Sequence, residues 1–434
     1  MAGIRGCGRG GPSAAPRRGT AGLGGALLLA AALTGCGGAP HDTAAGDRPV
    51  ALSGKTGKTA GAARPVPHGT GAASAKGSAD FNGDGAPDLV LDDLAHDGLG
   101  DDPGIGIVYG KKGHGLTPDV RQLLTPEKFA APTKGQTPAA FASEASCDLN
   151  ADGFTDLVVS TDPPYDGQGQ PPVPLQILFG SPGGIVGKGV KVAIPAKARF
   201  GNDWPDQPVC GDFDGDGKND LVVHASAGQL SFLPGPFTDS GAPRGGPAGL
   251  ARSIGDLPAG PAADVNGDGA DDILVRAHGG TARSALVLGG PNGPQTPGAA
   301  YPAGKDVVFG RFGSAVLTGD GLAVKGRGTL DVRGDALDAG DLNGDGRTDL
   351  VVSGGAEVRL VDGGARLVAG SPGAGRVVAV ADFDGDGRDD LVLQRASGSG
   401  SAKDAVTVFP GARGSALVAS TSHLSFSTAE FTSG

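Results

Sequence analysis

The sequence predicts an all-β protein built from repeated units, and three observations carry that prediction. Gly at 82 and Pro at 33 leave little room for long helices in 434 residues, while 38% hydrophobic content suffices for a core if it comes as short strands between turns. The acid is lopsided: only Glu127, Glu144, Glu357 and Glu430 are glutamate, so 43 of the 47 acidic residues are Asp, the residue of tight turns and oxygen-rich cation sites. A nine-residue acidic segment recurs six times, each time followed by three apolar residues. The net charge of -11 argues against a nucleic-acid partner, because phosphate binding needs Lys and Arg in excess.

The N-terminus reads as an address. Arg5, Arg9, Arg17 and Arg18 precede an apolar stretch from Leu23 to Leu33, which has signal-peptide length and falls short of the ~20 residues of a membrane span. It ends Leu33-Thr34-Gly35-Cys36, which resembles the bacterial lipobox and implies lipidation of Cys36 as the first mature residue. Arg17-Arg18 leaves the choice between general and twin-arginine export open, since Pro16 and Gly19-Thr20 depart from the twin-arginine pattern. Residues 36–76, rich in Gly, Ala, Pro, Thr and Lys without apolar periodicity, read as the lipidated Cys and a flexible tether. About forty such residues span roughly 35 Å root-mean-square.

The repeat then organises residues 77–434. Each copy keeps acid or amide at positions 1, 3, 5 and 9 and Gly at position 6. A loop that turns at position 6, where Gly tolerates positive φ, folds those side-chain oxygens and the carbonyl of residue 7 around one point, with water completing the ~6–8 oxygen shell of Ca²⁺. The expected ligands are Asp80, Asn82, Asp84, Ala86 and Asp88; Asp148, Asn150, Asp152, Phe154 and Asp156; Asp212, Asp214, Asp216, Lys218 and Asp220. The remaining copies supply Asp264, Asn266, Asp268, Ala270 and Asp272; Asp341, Asn343, Asp345, Arg347 and Asp349; Asp382, Asp384, Asp386, Arg388 and Asp390. The residue at position 7 contributes through its carbonyl, and about six calcium sites follow.

Position 12 separates this loop from its relatives. An EF-hand needs Glu there between helices, whereas Leu91, Val159, Val223, Val275, Val352 and Leu393 are strand residues. Calcium-binding β-helix repeats recur every ~9 residues, whereas the first Asp here recurs at intervals of 68, 64, 52, 77 and 41. Metal-free Asx turns are the competing reading, and they leave carboxylate clusters without a counter-charge.

A second element follows each loop: Ile107 to Gly110, Ile177 to Gly180, Phe232 to Gly235, Leu286 to Gly289, Leu360 to Gly363 and Val408 to Gly411, each an apolar strand ending in Gly. With Phe200-Gly201, Phe309-Gly310 and Phe312-Gly313, loop and strand resemble the FG-GAP/VCBS repeat of the integrin α-subunit propeller family over about residues 77 to 434. The resemblance implies four-stranded blades around a central axis, calcium loops in some blades, and ligand surfaces on the loops and top face.

The 77-residue interval hides a further unit. Phe312 to Asp320 matches the approach to a loop, though the other ligands are absent, and Leu322–Lys325 with Leu330–Arg333 can supply strands. Seven blades over 358 residues is about 51 each, close to the ~40–50 of known propeller repeats; six blades stay open. Ring closure predicts that the strand before Asp80 completes the blade begun after Asp390. Cys147 and Cys210 either form a disulfide or stay free and buried; lying one and two residues before their loops, they point to opposite strand faces.

No G-x-S-x-G, H-E-x-x-H or C-x-x-C motif occurs, so the expectation is a non-enzyme. Arg333-Gly334-Asp335 is a chance product of this composition, and Asp92, Asp93, Asp97, Asp101 and Asp102 read as a solvated insertion. The reading is therefore a signal peptide at 1–35, lipidated Cys and tether at 36–76, and an integrin-like propeller at 77–434. It is exported and lipid-anchored to the outer face of the cell membrane, monomeric, stabilised by calcium, and binds an extracellular protein or glycan as an adhesion or recognition scaffold. A glycan-binding or glycan-active secreted protein is the alternative, which one Trp and three Tyr make harder to build.

Overall fold

The three apolar residues behind each loop are buried, Val90 alone only partly, so both faces of each sheet are covered by neighbouring structure. Leu157 and Val159 lie in one cluster with Phe81, Ile107 and Tyr109, while Val158 between them packs with Leu221, Val223 and Leu233. Period-two alternation thus points successive side chains toward the preceding and the following unit. The computed structural model describes residues 66, 79–92, 94, 103–133, 135–162, 175–199, 205–226, 229–245, 257–276, 283–396 and 404–432. The signal peptide, Cys36, the tether apart from Val66, Phe200-Gly201, Asp93, Asp97, Asp101 and Asp102 lie outside them.

Seven antiparallel sheets follow one another along the chain. Blade 1 holds β1 (Leu89–Leu91), β2 (Ile105–Lys111) and β3 (Gly115–Leu124). Blade 2 holds β4 (Ala140–Cys147), β5 (Asp156–Asp162), β6 (Gln176–Leu178) and β7 (Val190–Lys191). Blade 3 holds β8 (Asp206–Gly211), β9 (Asp220–Ser226) and β10 (Gln229–Leu233), with no fourth strand among the described residues. Blade 4 holds β11 (Leu257–Ala263), β12 (Asp272–Arg276), β13 (Ser284–Leu288) and β14 (Thr296–Tyr301). Blade 5 holds β15 (Asp306–Gly310), β16 (Gly313–Thr318), β17 (Gly321–Val324) and β18 (Gly328–Leu330). Blade 6 holds β19 (Ala336–Gly340), β20 (Asp349–Ser353), β21 (Arg359–Asp362) and β22 (Arg366–Leu367). Blade 7 pairs β23 (Arg376–Ala381), β24 (Asp390–Ala396), β25 (Asp404–Phe409) and β28 (Leu424–Ser427), with the ribbon β26 (Gly411–Ala412) and β27 (Leu417–Val418) between the last two.

Seven apolar clusters fill the seven junctions between neighbouring blades. The last joins Phe383, Val392, Val406 and Val408 of blade 7 to Leu89, Leu91 and Val108 of blade 1, so the chain forms a closed seven-bladed β-propeller and the six-bladed alternative falls. The helices are single turns, as the Gly and Pro content requires. One of them, α1 (Pro126–Phe129), is capped by Thr125 and carries Pro at its start. After α2 (Ala196–Arg199), the C-terminal α3 (Ala429–Thr432) buries Phe431 in the blade 7/blade 1 junction, where Glu430 O accepts from Arg121 Nε at 3.0 Å.

Three expectations need correction. Blade 7 takes all four strands from the C-terminal segment, and among the described residues before Asp80 the backbone pairing is an isolated bridge between Ala79 and Asp88. Closure therefore rests on side-chain packing, not on a borrowed strand. In blade 5, Phe312 to Asp320 forms the second strand and the turn beyond it, because the first strand is β15 and the link to β16 is only Arg311-Phe312. Its outer strand is Gly328–Leu330, not Leu330 to Arg333.

Cys147 and Cys210 form a disulfide between β4 and β8, with Cα atoms 6.3 Å apart. Opposite strand faces turn out to be the requirement: two neighbouring blades meet only if one side chain points forward and the other back. The bridge closes a loop of 63 residues, for which the chain-entropy model gives about 4 kcal/mol.

Candidate metal centres

In blades 2, 3, 4, 6 and 7 the acidic segment joins the first strand to the second, and in blade 1 it leads into β1 and meets the blade 2 loop through Thr155, so all six segments sit at the same end of the ring. Their shape comes from backbone N–H groups turning onto carboxylates. In blade 2 Asp148 accepts from the N–H of Asp152 at 3.1 Å and of Gly153 at 2.9 Å, while Asp152 accepts from Phe154 N–H at 3.0 Å. The same set recurs at Asp80 and Asp84, Asp264 and Asp268, Asp341 and Asp345, and Asp382 and Asp386. Position 6 has positive φ throughout, from 79° at Gly346 to 93° at Gly153 and Gly269. That conformation is why Gly stands there. Ala151, at position 4 with φ 61°, holds it without that freedom.

The aspartate at position 9 does something the spacing alone does not reveal. In blade 2 Asp156 Oδ2 accepts the Leu149 N–H of its own loop and Oδ1 accepts the Gly180 N–H just beyond the third strand, both at 2.9 Å. The pair recurs at Asp88 with Phe81 and Gly110, Asp220 with Phe213 and Gly235, Asp272 with Val265 and Gly289, Asp349 with Leu342 and Gly363, and Asp390 with Phe383 and Gly411. All six aspartates are buried. The two repeated sequence elements are thus halves of one contact. Its closeness explains the glycine: a Cβ on Gly180 would lie 2.3 Å from Thr155 O, and one on Gly235 1.9 Å from Asn219 O.

Position 8 links neighbouring loops. Asp80 N–H donates to Thr155 Oγ1 at 2.9 Å while Thr155 N–H donates back to Asp80 O at 3.0 Å. Asp271 makes the same two-way contact with Asp212, and Asp389 with Asp341. Asn219 Nδ2 donates to Asp148 O at 3.0 Å, and Thr348 Oγ1 accepts the Arg311 N–H of the loop-less blade 5 at 3.2 Å. Within the ring is a cavity of 1170 Å³, lined in part by Glu144, Cys147, Cys210 and Asp264.

Electrostatically the loops are strained toward protonation. Burial, followed by neighbouring carboxylates, pushes Asp156, Asp220 and Asp390 up to about 7 and Asp349 up to about 6, against the pull of their backbone donors. Asp88 and Asp272 move the same way, as do Asp80 and Asp148 at position 1. A hard cation removes this tension, and the donor set fits one. The carboxylates of Asp212, Asp214 and Asp216, and of Asp382, Asp384 and Asp386, offer oxygens within 4.8 Å of one another. Asp212 Oδ1 is buried without a hydrogen-bond partner. The two carboxylate groups hold positions 1, 3 and 5 of their loops, and the position 9 aspartates stand outside them. The position 9 oxygens hold backbone donors besides, and a carboxylate oxygen retains further lone pairs for a cation.

The family model for the FG-GAP-like repeat matches residues 148–223 and 341–393, which contain the loops of blades 2, 3, 6 and 7. Over those stretches the chain carries FG-GAP-like repeats, and it folds as a seven-bladed β-propeller. No curated protein matches it. Among solved structures it is similar to BBS1N in complex with ARL6DN, with TM-score 0.42 and 16% identity over 77% of this chain and 90% of that one. An Agrocybe aegerita lectin that recognises non-reducing terminal N-acetylglucosamine gives 0.37 and 16% over 82% and 84%. The V. cholerae biofilm matrix protein Bap1 gives 0.26 and 11% over 79% and 80%. What those proteins bind remains a property of those proteins.

The raised carboxylates predict a pH dependence. Their folded-state values lie above the ~3.9 of an unfolded Asp. Between that value and about 7 the folded chain therefore binds more protons than the unfolded one, and stability falls as pH rises through the window. Asp338, pushed up to about 7 by burial and Asp306, acts in the same direction. In chelator the melting temperature should drop between about pH 4 and 7, read by calorimetry; a rise across that range contradicts the account.

Proposed function

We propose that this FG-GAP propeller is a calcium-stabilised binding scaffold, exported and held on the outer face of the cell membrane by a lipid on Cys36. The observation that carries the calcium reading is the sixfold recurrence of one oxygen-donor loop at one end of the ring, with carboxylates crowded enough to be driven toward protonation. Side chains at positions 1, 3, 5 and 9 and the position 7 carbonyl would hold the ion. Calcium supplies positive charge there and no redox chemistry. The loops themselves are shaped by their backbone bonds, and a cation bound only by the folded state stabilises that state by mass action.

The propeller fold supports a binding role, and the partner we propose is an extracellular protein or glycan, engaged by loops on a ring that the disulfide and seven apolar junctions keep stiff. The chain acts as a monomer and as a binder, without catalysis.

Three measurements test this. Native mass spectrometry at saturating calcium should count close to six ions, and Asp216→Ala should lower the melting temperature in millimolar calcium but little in chelator; two ions or fewer, or equal loss under both conditions, contradicts the calcium reading. Cys36→Ser should release the protein from detergent-dependent membrane fractions or leave it unprocessed. A mature Cys36→Ser protein that still needs detergent refutes the lipid anchor.

A further inference from the structure

The six loops are not equivalent, because three of them contain a guanidinium. In blade 6 the Arg347 Nε and Nη2 donate to Asp345 Oδ2 at 3.0 and 2.6 Å, while Oδ1 accepts the Arg347 N–H at 2.9 Å. The position 5 carboxylate is thereby engaged on both oxygens. In blade 7 Arg388 Nη2 donates to Asp386 Oδ2 and Nε to Gly411 O at 3.1 Å, and the side chain is only 19% exposed. In blade 3 the arginine comes from outside the loop: Arg244 donates to Asp216 Oδ2 and, at 2.9 Å, to Asp214 Oδ2. No arginine pairs with Asp84, Asp152 or Asp268 among the described residues. There position 7 is Ala86, Phe154 or Ala270, and Asp152 and Asp268 take a neutral amide donor from Asn150 and Asn266.

These arginines occupy the carboxylate on which the calcium reading depends, and a cation arriving there meets both a competitor for the oxygen and a like charge. Blades 3 and 7 offset their arginine with a fourth carboxylate, since position 3 is Asp214 or Asp384; blade 6 has Asn343 there and sets Arg347 against three. We infer that Arg244, Arg347 and Arg388 are resident counter-ions that calcium must displace, each weakening its own loop, so that the blade 6 loop fills last. This rests on the calcium reading above and goes beyond it, by making occupancy graded with calcium concentration instead of uniform.

The test is native mass spectrometry of the full chain across stepwise free calcium. Expected is a sixth ion that needs several-fold more calcium than the others, and loss of that lag in Arg347→Ala, a shift of about three- to tenfold for an exposed charge pair. Arg347→Gln, which keeps most of the side chain without its charge, gives the same result and serves if the Ala variant folds poorly. Arg388→Ala and Arg244→Ala should each tighten one site and lower the melting temperature in chelator, while Arg359→Ala, paired with Glu357 outside the loops, changes neither. Six ions entering in one step, or a lag that persists in both Arg347 variants, overturns the inference and leaves the calcium reading standing. No bound ion at millimolar calcium overturns both.

Discussion

In every blade that carries an acidic loop, one buried carboxylate holds together two stretches of backbone that the sheet ladder does not join. The position 9 aspartate leads into the strand behind the loop, reaches back to the loop through one oxygen and across to the glycine at the far end of the next strand through the other. Both N–H groups lie where water does not reach easily, and a buried donor left unpaired costs about 1–3 kcal/mol. The rest follows from that placement. The loop's last residue is fixed by it, and in five of the six blades Gly is required after the next strand because only a side-chain-free residue passes so close to the position 8 carbonyl, whereas in blade 6 Gly363 takes a φ of 53°.

Position 8 extends the constraint around the ring. Where it is Thr155, Asp271 or Asp389, a side chain and a backbone N–H together grip the first aspartate of the preceding blade. A cation held at one loop would therefore bear on the junction with the next. Asn219 and Thr348 each make a single bond to the preceding blade instead, and two junctions lack any such contact: blade 5 has no loop to offer its predecessor, and blade 1 has Pro87, which has no N–H to donate. At the first, Arg276 of blade 4 pairs with Asp306 of blade 5 at 2.6 Å, and Asp306 also accepts the Leu337 N–H of blade 6. At the second, the apolar contacts of Phe383, Phe426 and Phe431 with blade 1 close the ring.

Much of this was legible in the sequence, and the losses have physical causes. The loop spacing, the positive φ at position 6 and the apolar run are local, so they read directly, and the seventh unit showed through the long interval before Asp341. Its register did not, because Phe-Gly pairs flank the short Arg311-Phe312 turn on both sides and mark either strand equally well. The aspartate–glycine contact escaped because it joins residues as far apart as 24 positions, and nothing in either element announces its partner. The Cys147–Cys210 pair was ambiguous for a related reason: strand-face parity favours or forbids a bridge depending on whether the two strands lie in one blade or in two.

Asp156→Ala tests the central claim most directly, with Asp152→Ala of the same loop as its comparison and unfolding free energy measured in chelator and in millimolar calcium. Removing the buried staple should cost about 2–4 kcal/mol in chelator, from two orphaned N–H groups, and calcium should not restore it. Asp152→Ala, which removes an exposed carboxylate and two contacts within the loop, should cost much less in chelator. If the two variants lose the same small amount without calcium and differ only with it, the position 9 aspartate is a ligand alone and the propeller does not depend on it as a structural staple.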